Sequence, residues 1–409
     1  MQVYLVGGAV RDQLLGREVQ ERDWVVLGAT PAQMLQQGYQ QVGKDFPVFL
    51  HPETKEEYAL ARTERKNGRG YYGFTCDASP DVTLEQDLQR RDLTINAMAQ
   101  SADGQLIDPF HGQDDIQHKV LRHVSSAFVE DPLRLLRVAR FMARFAHLGF
   151  SIAPATLSLL QQLVTDNELE HLVAERIWKE LSRALAEPNP QAFIQTLRQV
   201  GALKSLLPEV EQLYGVEQVK KWHPEVDTGL HIELCLAQAA LLTPDPMVRF
   251  AVLCHDLGKG ITPLEILPHH YGHEMRGVKL VHQLCDRLKV PNEFRELAAM
   301  TAQYHGHCHK VQSLKASTLL KTLEALDALR RPQRFQQFLL ACTADARGRY
   351  GSEQAPYLQA AYFQQALDIV SKVDTRPIVE NKNLVGPAIK QAIYAARVRA
   401  LKEQLVISP

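Results

Sequence analysis

The first 120 or so residues alternate short apolar runs with polar, glycine-containing breaks. Four of these runs, at 2–6, 23–27, 48–50 and 57–61, are rich in Val, Tyr and Leu and bounded by turn residues, so they predict β-strands. Strands interleaved with helical segments are the pattern of an α/β domain. From Val129 onward the period changes and the strands are expected to stop. Leu133, Leu136, Val138 and Phe141 recur at helical spacing, and Pro- or Gly-containing breaks separate one helix from the next. Breaks fall at 187–190, 222–229, 243–246 and 261–272, with no fixed repeat period and no low-complexity tract. The predicted order is an α/β head at 1–125, an all-helical neck and body at 126–227, a His-rich helical domain at 228–350 and a helical tail at 351–409.

A length of 409 residues agrees with this division, since it exceeds what one core usually fills. Hydrophobic content of 45% and charged content of 23% exclude a disordered or fibrous chain. With a net charge of -1, any contact with RNA must come from local clusters of Arg and Lys. Six cysteines without a CxxC pair argue against a zinc ribbon or a disulfide framework, so reduced and mostly buried thiols are expected. There is no charged leader with a long apolar stretch and no run of 18 apolar residues, which predicts a cytoplasmic location without membrane contact.

Candidate chemistry begins at once. VYLVGGAVRDQLLG reads as a strand, two glycines and a short helix ended by Gly16. Gly7 and Gly8 let backbone N–H groups approach a polyphosphate, and Arg11, one turn in, presents a fork for phosphate oxygens. Taken alone, the pair reads first as a tight turn. Glu21 and Asp23 then stand two apart at the start of a strand, where period-two alternation puts both carboxylates on one face, close enough to share Mg²⁺ ions. Two such ions activate a 3′-hydroxyl and neutralise a leaving pyrophosphate, as nucleotidyl transfer requires. In isolation the two carboxylates are equally a pair of ordinary surface acids on a solvated turn.

Five stretches in order, VGGAVRDQLLG, ERDWVVLG, RRDLTINAMA, EDPLRLLRVARF and ERIWKEL, span about 180 residues. Together they resemble the class II tRNA CCA-adding enzymes and bacterial poly(A) polymerases of the polymerase-beta superfamily. The resemblance implies a nucleotidyltransferase head with a mixed sheet, Mg²⁺ at Glu21 and Asp23, nucleotide contacts at Gly8 and Arg11, and sugar and phosphate contacts at Arg91 and Asp92. It implies CTP, ATP and a tRNA 3′ end as partners, in a monomer or homodimer. Two departures stand out: Glu21 replaces the usual Asp, and Trp24 replaces a smaller apolar residue. No third catalytic carboxylate is identified, with Glu57 and Glu64 as candidates.

In EDPLRLLRVARF, Asp131, Arg134, Arg137 and Arg140 are spaced by three and are expected to form a polar stripe on one helix. A carboxylate accepts from the exocyclic amine of cytosine or adenine, and a guanidinium donates to the adjacent ring nitrogen; uracil and guanine lack that pattern. Asp131 with Arg134 therefore resembles a protein-made base-pairing edge, worth roughly 1–3 kcal/mol of discrimination. Arg137 and Arg140 would hold the triphosphate and the neighbouring RNA backbone. The basic, tyrosine-containing segment 65–74 has the composition of a lid or of an inert loop, and in the resembled family an element here is associated with the change from C to A addition.

Ten of sixteen histidines fall between His223 and His309. AVLCHDLGKG delivers adjacent His255 and Asp256 at the end of an apolar helix turn, and mixed imidazole and carboxylate ligands suit a transition metal that activates water against phosphoesters. This stretch resembles the HD phosphohydrolase superfamily. The resemblance implies His231, His255, Asp256 and Asp345 as ligands of a divalent transition metal such as Ni²⁺, Mn²⁺ or Co²⁺, and Lys259 as a phosphate contact. His273, His305 and His307 either complete a second metal site or satisfy loop hydrogen bonds. The joined architecture implies 2′,3′-cyclic phosphodiesterase, 2′-nucleotidase and phosphatase activities beside CCA addition, with a poly(A) polymerase as the alternative.

Overall fold

Strand β1 (Gln2–Val6) shows why the head forms a two-faced sheet. Neighbouring Leu5 and Val6 point to opposite faces and enter separate apolar clusters, Leu5 with Ala9, Val10 and Met98, and Val6 with Val25, Leu88 and Ala99. Val25 and Val26 of β2 (Asp23–Leu27) part in the same way, Val26 joining Met34, Phe49 and Leu60. The computed structural model describes residues 1–42, 48–66 and 74–405, without the side chains of 64–66, 74 and 75. Most of segment 65–74, read as a lid, and the Glu64 side chain lie outside the described residues.

The remaining head strands are β3 (Gln40–Val42), β4 (Val48–Leu50), β5 (Glu57–Leu60), β6 (Thr63–Lys66), β7 (Phe74–Asp77), β8 (Ala99–Gln100) and β9 (Leu106–Ile107). Five of these join β1 and β2 in a seven-stranded sheet of order β3-β4-β5-β2-β1-β8-β9, and β6 pairs with β7 separately. The larger sheet is mixed, as expected: β2 runs parallel to β5 and antiparallel to β1. One expectation is corrected. Strands do not stop near residue 125, because Ser151–Ile152 pairs in parallel with Val120–Leu121. A two-residue strand is too short to leave a period-two signature.

The chain divides into two compact units, Met1–Glu180 with Gln199–Ser205, and Leu181–Arg198 with Leu206–Pro409. In the first, helix α1 (Gly8–Leu14) follows β1, and α2 (Leu84–Gln89) is capped by Thr83. Helix α3 (Leu133–Phe145) buries Leu135, Leu136, Val138 and Ala139. The second unit contains α4 (Thr228–Leu242), α5 (Pro246–Cys254), α6 (His273–Leu288), α7 (Asn292–His309) and α8 (Pro332–Arg347). Asp227 and Asp245 cap α4 and α5 by accepting from Leu230 and Met247 N–H, each at 2.8 Å. Helix α5 is buried continuously from Val248 to Cys254, because it packs against both α7 and α8. All six cysteines are free thiols, five of them buried. No helix among the described residues is long and apolar enough to cross a membrane.

Candidate functional site

In the head, β1 ends in Gly7, whose φ of +69° lies in the region glycine alone enters easily. A Cβ there would stand 2.8 Å from Arg91 Nη1, and one on Gly8 would stand 3.4 Å from Arg11 Nη2. Two guanidinium groups therefore flank the turn. Arg11 is turned inward: it donates to Asp12 at 2.9 Å and to Asn96 Oδ1 at 2.5 Å, and lies over Phe141 and Phe145. Burial lowers its pKa to about 10, with Asp12 opposing, so it remains a cation at neutral pH.

Arg91 donates to Asp87 Oδ2 at 3.1 Å and to the Asn96 carbonyl at 3.5 Å. Burial alone would raise the Asp87 pKa, but Arg90 and Arg91 hold it below the usual range. Asp23 is reached by the field of Arg91. The surrounding protein desolvates the Asp23 carboxyl and raises its pKa; Arg91 opposes this and the neighbouring Glu21 adds to it. Glu21 precedes β2, which begins at Asp23. The parallel register sets Glu57 of β5 beside Asp23, a proximity with no trace in sequence spacing. Trp24 stacks on Tyr58 with centroids 5.6 Å apart and donates to Glu56 at 3.0 Å, which accommodates the larger ring.

The expected four-residue stripe is corrected. Asp131 lies before α3, where its Oδ1 accepts from Leu133 N–H at 3.1 Å and its Oδ2 from Arg176 at 3.2 Å. On the helix, each step of three residues falls about 60° short of a full turn. Arg140 therefore rotates inward, where it is buried and ion-paired with Glu180 at 2.6 Å. Arg134 donates to the carbonyls of Arg90 at 2.5 Å and Ala127 at 3.2 Å. Arg137 pairs with Asp92 at 2.7 Å. Asp92 is buried and also accepts from Leu93 N–H and Asn96 Nδ2. Burial would raise its pKa, yet Arg137 and Asn96 hold it well below the carboxylate range. Both Asp92 oxygens are thus engaged with the protein. Asp12, Asn96, Arg176 and Glu180 also reach Arg144, Arg11, Asp131 and Arg140, each 40 or more residues away, so sequence spacing carries no sign of these contacts.

In the second unit His255 and Asp256 follow α5, and His231 of α4 and Asp345 of α8 meet them in the interior. His231 Nε2 lies 3.2 Å from Asp345 Oδ1 and 3.9 Å from Asp256 Oδ2. His255 Nε2 lies 3.2 Å from Asp256 Oδ2 and 3.6 Å from Asp345 Oδ2. Ligands about 2.0–2.1 Å from a tetrahedral ion stand about 3.3–3.5 Å apart, so most of these separations suit one. His255 Nε2 and Asp256 Oδ1 are buried without a hydrogen-bond partner, which also fits a cation site. Asp256 Oδ1 additionally faces His273 Nε2 at 3.4 Å and His305 Nε2 at 3.6 Å, and those two nitrogens are 3.3 Å apart. His307 instead bonds Thr322 at 2.9 Å.

The Nδ1 atoms of all four inward-facing imidazoles meet backbone carbonyls, of Gly348, Val252, His270 and Thr301 at 2.7–3.0 Å, which turns each Nε2 toward the carboxylates. His231 Nδ1 also lies 2.9 Å from Glu225 Oε1, which is 2.9 Å from His223. Burial drives His305 down to about 3, so it is neutral at physiological pH. Asp256 and Asp345 resist burial and stay ionised, the first through Lys259 and His255, the second through His309 and His255. The Lys259 ammonium, expected at a phosphate, donates to Gln218 at 2.6 Å and lies 2.7 Å from Asp256.

A glycine turn ringed by guanidinium groups beside a carboxylate strand, and a separate buried His–Asp cluster, define a nucleotidyltransferase joined to an HD-type hydrolase domain. Family models agree along the chain: a poly A polymerase head domain at residues 3–122, a probable RNA- and SrmB-binding site of polymerase A at 149–213, and an HD domain at 229–331. The chain is 60% identical over 402 residues to the multifunctional CCA protein of Teredinibacter turnerae, covering 98% of each. It is 58% identical over 403 residues to that of Thioalkalivibrio sulfidiphilus, again covering 98% of each. The chain belongs to the multifunctional CCA protein family. Its fold matches that of a Thermotoga maritima CCA-adding enzyme solved with tRNA (TM-score 0.65, 20% identity, covering 100% of this chain and 88% of that one). It likewise matches the Bacillus stearothermophilus enzyme solved with CTP (TM-score 0.61, 24% identity, covering 98% and 88%).

Proposed function

We propose that the head restores the 3′-terminal CCA of tRNA from CTP and ATP without a nucleic-acid template, and that the HD domain hydrolyses 2′,3′-cyclic and 2′-phosphate ends that block this addition. The approach of Arg91 to both the Gly7 turn and Asp23 carries the reading. The backbone turn and Arg91 hold the triphosphate, while Arg11 stiffens the turn from beneath. Mg²⁺ at Glu21 and Asp23 supplies activation of the 3′-hydroxyl and neutralisation of the leaving pyrophosphate. Asp131 and Arg134 read the base edge once they exchange their present partners, and Asp92 aims Arg137 rather than touching the sugar.

In the HD domain, His231, His255, Asp256 and Asp345 hold a divalent transition metal, which supplies a water acidic enough to attack phosphorus. His273 and His305, with Asp256, offer a second position of the same chemistry. The four domains at 1–125, 126–227, 228–350 and 351–409 divide the work into transfer, base and tRNA binding, hydrolysis and support. The reaction runs in the cytoplasm, on a monomer or homodimer.

The test is incubation of the purified chain and Mg²⁺ with tRNA lacking CCA, with CTP alone, ATP alone and both. Two C additions followed by one A are expected. A long A tail would indicate a poly(A) polymerase, and no extension would remove the transferase reading.

A further inference from the structure

Lys259 and Arg276, two cations beside the HD cluster, are both committed to protein partners. Lys259 Nζ donates to Gln218 at 2.6 Å and lies 2.7 Å from Asp256. Arg276 donates to the carbonyls of Gly258 and Tyr271 and to Thr262 Oγ1. Arg349 is different. Its one ion pair among the described residues is with Asp345 Oδ1 at 3.5 Å, longer than the usual N–H···O range of about 2.7–3.2 Å. Its Nε is buried without a hydrogen-bond partner. Arg91, Arg144, Arg295 and Arg334 likewise leave Nε unpaired, yet each closes a bond of 3.1 Å or less to a carboxylate through a terminal nitrogen. Arg349 closes none.

The packing of α8 on α4 plants this side chain at the cluster. The Gly348 carbonyl meets His231 Nδ1 at 3.0 Å, and a Cβ on Gly348 would collide with Cys235 Sγ. The end of α8 is therefore pinned to α4 at a distance that glycine permits, and Arg349 follows directly. Its side chain is 24% exposed, so it stands between the buried ligands and solvent. Its field reaches Asp256 and Glu225, and both it and Lys259 act on His223. Asp345 does not depend on it for a partner: His231 Nε2 lies 3.2 Å from Oδ1, and His309 Nε2 lies 2.6 Å from Oδ2.

We propose that Arg349 is the phosphate clamp of the HD site, its guanidinium fork taking two non-bridging oxygens of a terminal 2′,3′-cyclic or 2′-phosphate. This rests on the metal-hydrolase reading of the domain. A planar fork matches a phosphoryl group bidentately, which an ammonium cannot do. The charges agree with an anionic ligand. The carboxylates of Asp256, Asp345 and Glu225 are offset by Lys259 and a divalent ion, and Arg349 adds the positive charge that a phosphate anion requires. The guanidinium keeps its protons throughout. Its work is to hold the phosphoryl group and to stabilise the charge that those oxygens gain during attack.

The experiment uses the full chain, stripped by a chelator and loaded with Co²⁺, with Arg349→Ala and Arg349→Lys as variants and thermal melts as the fold control. In the alanine variant, kcat/KM for 2′,3′-cyclic AMP is expected to fall about 100-fold, and inhibition by inorganic phosphate to weaken about tenfold or more. Competition with a chromophoric chelator should show Co²⁺ affinity unchanged, without the drop of about 10–100-fold that follows loss of a ligand's support. Lysine keeps the charge and loses the fork, so it should recover only part of either effect. If the alanine variant does not fold, the lysine variant carries all three measurements. Phosphate inhibition at the wild-type level in a folded variant would overturn the clamp. A fall in Co²⁺ affinity that matches the fall in rate, or full rescue by lysine, would make Arg349 a support for Asp345 and overturn it too. Absence of hydrolysis by the Co²⁺-loaded wild type would remove the hydrolase reading and the proposal with it.

Discussion

Asp92→Asn keeps the side-chain volume and removes one charge. In the native chain that charge is shared among Leu93 N–H at 2.8 Å, Asn96 Nδ2 at 2.9 Å and Arg137 Nε at 2.7 Å. Removing one partner of a buried ion pair costs about 3–5 kcal/mol. Asp92 is 6% exposed but the Arg137 side chain is 34% exposed, so water recovers part of the loss. A cost of about 2–3 kcal/mol follows. With a urea m-value of about 2–3 kcal/mol/M, the unfolding midpoint of the first unit should fall by about 1 M. Trp24 and Trp178 both lie in that unit and report on it by fluorescence.

The pH dependence has a fixed sign. The native Asp92 pKa is depressed below an unfolded value near 3.9, so its stabilisation is complete above about pH 4 and is lost as pH falls toward the native pKa. The gap between wild type and Asn variant should therefore be widest near neutrality and narrow in acid. At neutral pH the variant should also raise the KM for CTP and ATP together, because Arg137 loses the group that aims it. A midpoint within about 0.2 M of wild type at pH 7, or a gap undiminished at pH 3, would refute the assignment of Asp92 as a buried positioning charge.

Alanine at Asp23 should abolish CMP incorporation and spare phosphatase activity, while alanine at Asp256 should do the reverse; loss of both activities in either folded variant would reject two separate sites. Glu225→Gln should weaken metal binding by about 10–100-fold through His231, as measured by chelator competition, and unchanged affinity would leave Glu225 no role in aiming that ring. Gly7→Ala places a side chain at φ +69° and 2.8 Å from Arg91 Nη1, so it should cost about 1–2 kcal/mol in strain and raise the KM for both nucleotides about tenfold, checked by denaturation and initial rates.

Local grammar made much of the protein legible. Short apolar runs marked β1, β2, β4 and β5, and a longer period marked the helices, because strand and helix each impress their repeat on neighbouring residues. Adjacent groups were equally visible: Gly7 with Gly8, Glu21 near Asp23, His255 with Asp256. The arginine spacing of three does not run straight along the helix: it drifts around it until Arg140 enters the interior to meet Glu180.

Tertiary packing decided the rest. His231 and Asp345 stand 114 positions apart, and Arg176 reaches Asp131 across 45; neither pairing leaves a periodic mark. The same holds for Glu225, which bonds His231 because a turn folds back beside α4. The sequence by itself determined which chemical groups this protein owns and which short elements carry them. Only the packed structure decided which groups face one another, because distance through space is set by how helices and sheets close on their apolar faces, and no local repeat encodes that closure.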